Sequence, residues 1–312
     1  MSKIIVTGGS GFIGSHIVSA LKKNDHEVYV IDKVNTLNFK NYFNIDINDT
    51  SQLELIFKEN KIDYVYHIAA IANARRSLED VLETVDVNIR GTASVLKASS
   101  NAGVKKVILA STVWIYNACE KKANNSNLIT LDESSPLLPT SGNHFYTTSK
   151  LTSEFLCHDF NFFKNLKFTI LRYGIPYGPR MWKGLVLRSF TENALSGKPL
   201  TINGDGSAKR RFVHIDDLAK AHVLALNEKS DNQIFNLEGD NDVTIKELAE
   251  LVSANIPNTK IEYKIDENRK GELKTENIEI SNKKAKNILK WKINVKINDG
   301  VKSYIDWFKK NN

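Results

Sequence analysis

The chain has 312 residues, enough for about two domains or for one large α/β unit with an appended lobe. Its 43 Lys and Arg against 36 Asp and Glu leave a net charge of +7, and much of the excess lies in Lys/Asn-rich stretches mixed with acids, notably residues 270–296. Charge this diffuse suits an anionic small substrate but makes no nucleic-acid face. Two isolated cysteines, Cys119 and Cys157, form neither a CxxC pair nor a ligand cluster, which argues against a disulfide framework and a zinc site. No apolar run approaches the roughly 20 residues of a membrane span. The chain enters a strand-like run at once and reads as one without a signal peptide. The expectation is a soluble, cytosolic, globular protein with no membrane or nucleic-acid partner.

Lys3–Thr7 (KIIVT) is a short β-branched run with the look of a buried strand. A glycine cluster follows, then an apolar-periodic helix over Phe12–Lys23. Strands are predicted at Glu27–Ile31, Asp63–Ile68, Lys105–Ala110 and Lys167–Leu171. Between them, Leu82, Val85, Ile89, Ala93 and Leu96 recur at helical steps and predict one amphipathic helix over 82–102. Strands alternating with helices predict a doubly wound parallel α/β sheet of Rossmann type. Residues 118–143, rich in Lys, Asn, Ser, Thr and Pro, read as a long loop. After Arg172 the rhythm changes: Gly174, Pro176, Gly178 and Pro179 break the chain, and a mixed α+β lobe with a basic bias follows.

Gly8, Gly11 and Gly14 lie between the first strand and the first helix. One glycine permits a turn with positive φ, one lets backbone approach a pyrophosphate, and one allows close helix–strand packing. The helix N-terminus then offers free N–H groups to the phosphates. Such a turn can exist without a ligand. Here the strand before it, the helix after it and Asp32 at the end of the second strand favour a dinucleotide site, with Asp32 on the ribose hydroxyls. A carboxylate there repels a 2′-phosphate and favours NAD over NADP, although Lys33 lies beside it.

Tyr146 and Lys150 are four residues apart and share a helix face. The bland reading is an exposed Tyr and Lys on an amphipathic helix. The chemical reading is an ammonium that stabilises phenolate, bringing a pKa of about 10 toward neutrality so that the phenol can serve as a general base. Thr112 follows a strand, at the carboxyl end of the sheet where open α/β proteins bind ligands. A turn or cap role is the alternative for Thr112 and Ser111.

The segments Thr7–His16 (TGGSGFIGSH), His67–Ala70, Tyr146–Lys150 and Arg210–Asp217 (RRFVHIDD) occur in this order. With Arg269–Glu272 and the stretch closing on Trp291, they resemble the extended short-chain dehydrogenases/reductases, within the nucleotide-sugar epimerase/dehydratase family. The resemblance covers nearly the whole chain. It implies an NAD site that includes Phe12 and Ile13 of the cradle. Asp46 and Ile47 would lie at the adenine, Ala69 and Ala70 beside the pyrophosphate, and Asn88 as a structural residue toward the nicotinamide. Without the resemblance, Asn88 would read as solvated surface.

The same resemblance implies catalysis by Thr112, Tyr146 and Lys150. It implies substrate contacts from Trp114, Tyr173, Ile175, Arg210 and Arg269, the two arginines gripping the diphosphate. His144, two residues before Tyr146, is a further substrate-contact candidate. His16, His67 and His214 read as structural, and no metal site is expected. Dehydratase and decarboxylase relatives carry an acid just after the Ser/Thr; Val113 and Trp114 stand there instead. Neither exchanges a proton, which argues against both reactions. Two departures, Ile175 in place of a common Asn and Asn117 in place of a common Gly, leave the sugar open.

The activity implied is an NAD-dependent oxidoreductase acting at C4 of a nucleotide-diphosphate sugar, a 4-epimerase passing through a 4-keto intermediate. The alternatives are a 4-dehydrogenase or 4-ketoreductase with net redox change, and a non-catalytic dinucleotide sensor. The domain expectation is an NAD-binding unit over 1–173, with 212–237 returning to it, and a substrate lobe made of 174–211 and 238–312. A homodimer through two helices, about 82–102 and 145–164, is also implied.

Overall fold

The computed structural model describes residues 1–119, 129–138, 144–264 and 278–312. Its centre is built from the β-branched runs. They form strands β1 (Lys3–Thr7), β2 (Glu27–Asp32), β3 (Tyr42–Asn44), β4 (Tyr64–His67) and β5 (Lys106–Thr112). Helices α1 (Phe12–Lys23), α2 (Thr50–Glu59), α3 (Ala74–Glu79), α4 (Val81–Val85) and α5 (Gly91–Asn101) lie between or after them. The chain continues through β6 (Ile129–Leu131), α6 (Phe145–Lys164), β7 (Lys167–Tyr173) and β8 (Ile175–Tyr177). Next come α7 (Val186–Leu195), β9 (Leu200–Asn203), β10 (Lys209–Arg210), β11 (Phe212–His214) and α8 (Ile215–Leu224). The last elements are β12 (Gln233–Leu237), β13 (Val243–Thr244), α9 (Ile245–Asn255), β14 (Ile261–Lys264), β15 (Ile278–Ile280) and α10 (Ile297–Asn311).

Seven parallel strands pair in the order β12-β7-β5-β4-β1-β2-β3. The order reverses direction at β1, the arrangement that opens a ligand crevice at the carboxyl ends of the strands. Alternating side chains divide the core in two. Ile4, Val6, Val28, Val30, Ile108 and Leu171 face α1 and α8. Ile5, Ile31, Val65, Val107, Leu109 and Ile170 face α2, α5 and α6. The expected α/β class with both faces of the sheet covered is therefore the fold observed.

Residues 174–312 add small two-stranded pairings: β8 with β11, β9 with β14 and β10 with β13. Of the segment 212–237, β12 joins the large sheet and α8 packs on α1, while β11 stays with β8.

Two expectations are corrected. The amphipathic helix over 82–102 is broken: a π turn over Asp86–Arg90 separates α4 from α5. That turn advances the register by a residue, so the buried side is Thr84, Asn88, Thr92 and Val95, while Leu82 and Val85 face outward. The long loop over 118–143 is also structured where it is described. Cys119 bridges to Leu137, and β6 pairs with β15, so 129–131 lies against 278–280. Val113, Ile115 and Tyr116, on the short helical turn after β5, pack with Leu131 and Ile280 as a third cluster. Residues 120–128 and 139–143 of that stretch lie outside the described residues.

Candidate active site

Two cavities open at the carboxyl end of the sheet. The first, of about 570 Å³, is lined by Gly8, Gly11, Phe12, Ile13, Gly14, Asp32, Asp46, Ile47, Ala69 and Ala70, together with Lys33, Val87 and Trp182. Its floor is the glycine turn. Gly8 has φ +70°, and a Cβ there would lie 2.7 Å from the Ala69 nitrogen. A Cβ on Gly14 would lie 2.1 Å from the Gly8 carbonyl oxygen. Any side chain at either position forces the turn open, so the glycines maintain a surface on which a pyrophosphate can rest.

Asp32 stands at the rim. Its carboxylate accepts from the Ser10 and Lys33 backbone N–H groups at 3.0 and 2.8 Å. The Lys33 ammonium turns away to Asp46, 3.1 Å off, so the cation beside Asp32 is engaged elsewhere. The donor set fits a dinucleotide with a free ribose diol. Replacing Asp32 with Ala is expected to weaken NAD binding about tenfold or more and to narrow the preference for NAD over NADP, as read by calorimetry with both cofactors.

The second cavity, of about 450 Å³, lies between the sheet and the C-terminal lobe. Trp114, Ile175, Val186, Phe190, Phe212, Ile278 and Ile280 supply apolar wall; Arg210, Arg211, Glu238 and Asp242 supply charge. Arg210, on β10, lines this cavity as the expected phosphate ligand would. Arg269 falls outside the described residues.

Helix α6 carries Tyr146 and Lys150. On one side Ser149 accepts from the Asn88 amide at 2.9 Å, and Asn88 pairs with both backbone groups of Ile71, a residue of the first cavity. Asn88 is thus a buried clamp and not solvated surface. On the other side the Tyr146 ring packs edge-on against Trp114, centroids 6.5 Å apart, in the wall of the second cavity.

Thr112 ends β5 and hydrogen-bonds the Tyr146 hydroxyl. That bond favours the phenolate, but burial dominates and pushes the phenol up to about 12. The expected acidification by Lys150 is therefore not present in the protein alone. Burial also lowers Lys150, to about 8, with the Glu154 carboxylate opposing the shift.

Two other candidates have partners within the protein. His144 caps α6, accepting from the Thr147 N–H at 3.2 Å, and stacks on Tyr146. Its ring stabilises the helix start that carries the dyad. Tyr173 buries its hydroxyl against His222 Nε2 at 2.6 Å, because strand alternation turns it into the α1–α8 side of the core. His67, between Thr7 and Thr92, is structural as expected.

Beneath the dyad lies a network that the sequence reading missed. Arg172 and Glu154, both buried, pair in two places at 3.1 and 2.7 Å. Ser111 donates to Glu154 at 2.5 Å, Arg172 donates to the Tyr116 hydroxyl, and Tyr116 donates to Asn236. Strands β5, β7 and β12 and helix α6 are tied together by it. Its one legible sign was Glu154 four residues after Lys150, on the same helix face.

The family model for the NAD dependent epimerase/dehydratase family matches residues 4–237. The chain belongs to this family. Its cofactor is NAD, in keeping with the cradle and Asp32. A putative UDP-glucose 4-epimerase of Methanocaldococcus jannaschii is 33% identical over 99% of both chains. The UDP-glucose 4-epimerase of Thermotoga maritima, solved with UDP-glucose, is 30% identical over 99% of both chains with a TM-score of 0.86. The UDP-glucuronic acid 4-epimerase of Bacillus cereus, solved with UDP-glucuronic acid and NAD, is 29% identical, covering 99% of this chain and 100% of that one, with a TM-score of 0.86.

Among the described residues no group of His, Cys, Asp and Glu could hold a metal ion, and no helix is long and apolar enough to cross a membrane.

Proposed function

We propose that the protein is an NAD-dependent nucleotide-diphosphate-sugar 4-epimerase that works through a 4-keto intermediate. The observation that carries this reading is the intact Thr112–Tyr146–Lys150 set, with Thr112 bonded to the Tyr146 hydroxyl and Tyr146 packed on Trp114 in the lining of the second cavity. Similarity to UDP-sugar 4-epimerases along the whole chain supports it. The lobe of residues 174–211 and 238–312 binds the substrate, with Arg210 at the diphosphate. Arg269 is assigned to the same diphosphate on the motif alone.

The residues of the chain have separable tasks. Thr112 orients the C4 hydroxyl and holds the Tyr146 oxygen. Tyr146 takes the hydroxyl proton and later returns it. Lys150 keeps a positive charge beneath them and steadies the nicotinamide ribose. NAD, held by the glycine cradle and Asp32, would supply the hydride acceptor when bound. Val113 and Trp114 leave no acid beside Thr112 for elimination or decarboxylation. Incubation with UDP-glucose and NAD tests the reading: NMR is expected to show the C4 isomer with no net change in nicotinamide absorbance. A net absorbance change would establish a dehydrogenase or ketoreductase instead.

We also propose a homodimer. Leu82 on α4 and Phe162 on α6 are 82% and 80% exposed, and Val85, Phe155 and Phe163 are exposed with them on two helices that pack together. An apolar face of this kind marks an interaction surface. The double variant Leu82→Asp, Phe162→Asp is expected to halve the mass seen by light scattering. The cytoplasm is the proposed location, supported by two cysteines that are not disulfide-bonded.

A further inference from the structure

Glu238 follows β12, whose Leu237 pairs with Tyr173 at the end of β7. The next residue on that neighbouring strand is Gly174, and a Cβ there would lie 2.3 Å from Glu238 Oε1. A side chain at 174 would push the Glu238 carboxyl from its place: the glycine leaves a gap and the acid fills it. Ile175, the following residue, puts an apolar side chain into the same cavity wall. The Glu238 backbone is held in place, with its carbonyl accepting from the Asn282 amide at 2.7 Å.

The side chain is only 5% exposed and lines the second cavity. Oε1 accepts from the Gly239 N–H at 3.1 Å. Among the described residues, no group donates to Oε2. Oε2 is not closed off from solvent, so it stays open to accept from a group in the cavity. Trp114, in the same cavity lining, packs on Tyr146, so this cavity reaches the dyad.

We infer that Glu238 is a substrate-binding residue that holds a hydroxyl of the hexose through Oε2 and adapts the cavity to neutral hexoses over uronates. This rests on the nucleotide-sugar reading above. Selection against uronates follows from the surroundings. The apolar part of the cavity wall includes Trp114, Ile175, Phe212, Ile278 and Ile280. The nearby Arg211 is engaged by Asp242 at 2.7 Å and Glu279 at 3.4 Å. Burial, opposed by the Gly239 N–H and by Arg211 and aided by Asp242, pushes the Glu238 carboxyl up to about 8. A substrate carboxylate entering the same space meets the same loss of solvation.

The test is calorimetry on NAD-loaded wild type, Glu238→Ala and Glu238→Gln, with UDP-glucose, UDP-glucuronate and UDP as probes. Glu238→Ala is expected to lower UDP-glucose affinity about tenfold while UDP affinity stays within about twofold. Glu238→Gln, which keeps an amide able to bond a hydroxyl, is expected to stay within about threefold of wild type for UDP-glucose. Wild type is expected to bind UDP-glucuronate about tenfold or more weakly than UDP-glucose. Unchanged UDP-glucose affinity in Glu238→Ala, a parallel loss of UDP, or equal wild-type affinity for the two sugars would overturn the inference. Glu238-dependent binding without isomerisation would count against the 4-epimerase reading and leave this one standing.

Discussion

Tyr146→Phe is expected to lower kcat for nucleotide-sugar isomerisation by about 10²- to 10⁴-fold while leaving the affinities for NAD and for the sugar nucleotide within a few-fold. The substitution removes one oxygen. That oxygen bonds Thr112, but it carries no part of the helix cap or of the packing against Trp114. The fold is therefore retained, and circular dichroism and melting should match wild type. Single-turnover mixing separates binding from chemistry, and the loss is expected entirely in the chemical step. Turnover within tenfold of wild type would show that another group handles the proton, and the sensor reading would gain if wild type itself never turned over.

The largest stability effect is expected at Glu154 or Arg172. Each is about nineteen-twentieths buried or more, and each is the other's charge partner. Removing one strands the other without solvent, which typically costs 3–5 kcal/mol, or about 3 to 5 kcal/mol for Glu154→Ala here. Replacing both with apolar residues of similar volume is expected to cost less than either single change. Urea unfolding of the two single variants and the double variant measures this directly; additive losses would show that the pair is not coupled. A second readout separates position from mere stability. Glu154 opposes the lowering of Lys150, so Glu154→Gln lets Lys150 lose its proton at lower pH. The alkaline side of the pH–rate profile should move down by a measurable amount while the protein remains folded.

Much of the sheet was legible because its strands are short, β-branched and punctuated by glycine and helix-length spacers, as in Lys3–Thr7 and Lys106–Thr112. The cradle was legible because three glycines at that spacing have few structural uses. The misreadings share a cause: they depend on contacts between distant residues. The stripe of Leu82, Val85 and Ile89 obeys helical spacing, but the π turn at Asp86–Arg90 shifts the buried side to Thr84, Asn88 and Thr92, whose polar groups are satisfied by Asp80, Ile71 and Ser153. Tyr173 lies where motif position suggests a substrate contact, yet a core histidine takes its hydroxyl. Glu154 with Arg172, and Glu238 with Gly174, are pairings across elements that no local spacing announces.

The walls of the two cavities come from different stretches of the polypeptide. The first is made from residues 8–87 and Trp182, whereas the second needs residues as late as Ile280, on a strand that docks beside Leu131. During ribosomal synthesis, which proceeds from the N-terminus, the dinucleotide compartment is finished long before the carbohydrate compartment has its far side. A nascent chain can therefore take up its coenzyme early, and the bound coenzyme stabilises the young sheet by mass action while the last third of the protein is still being made.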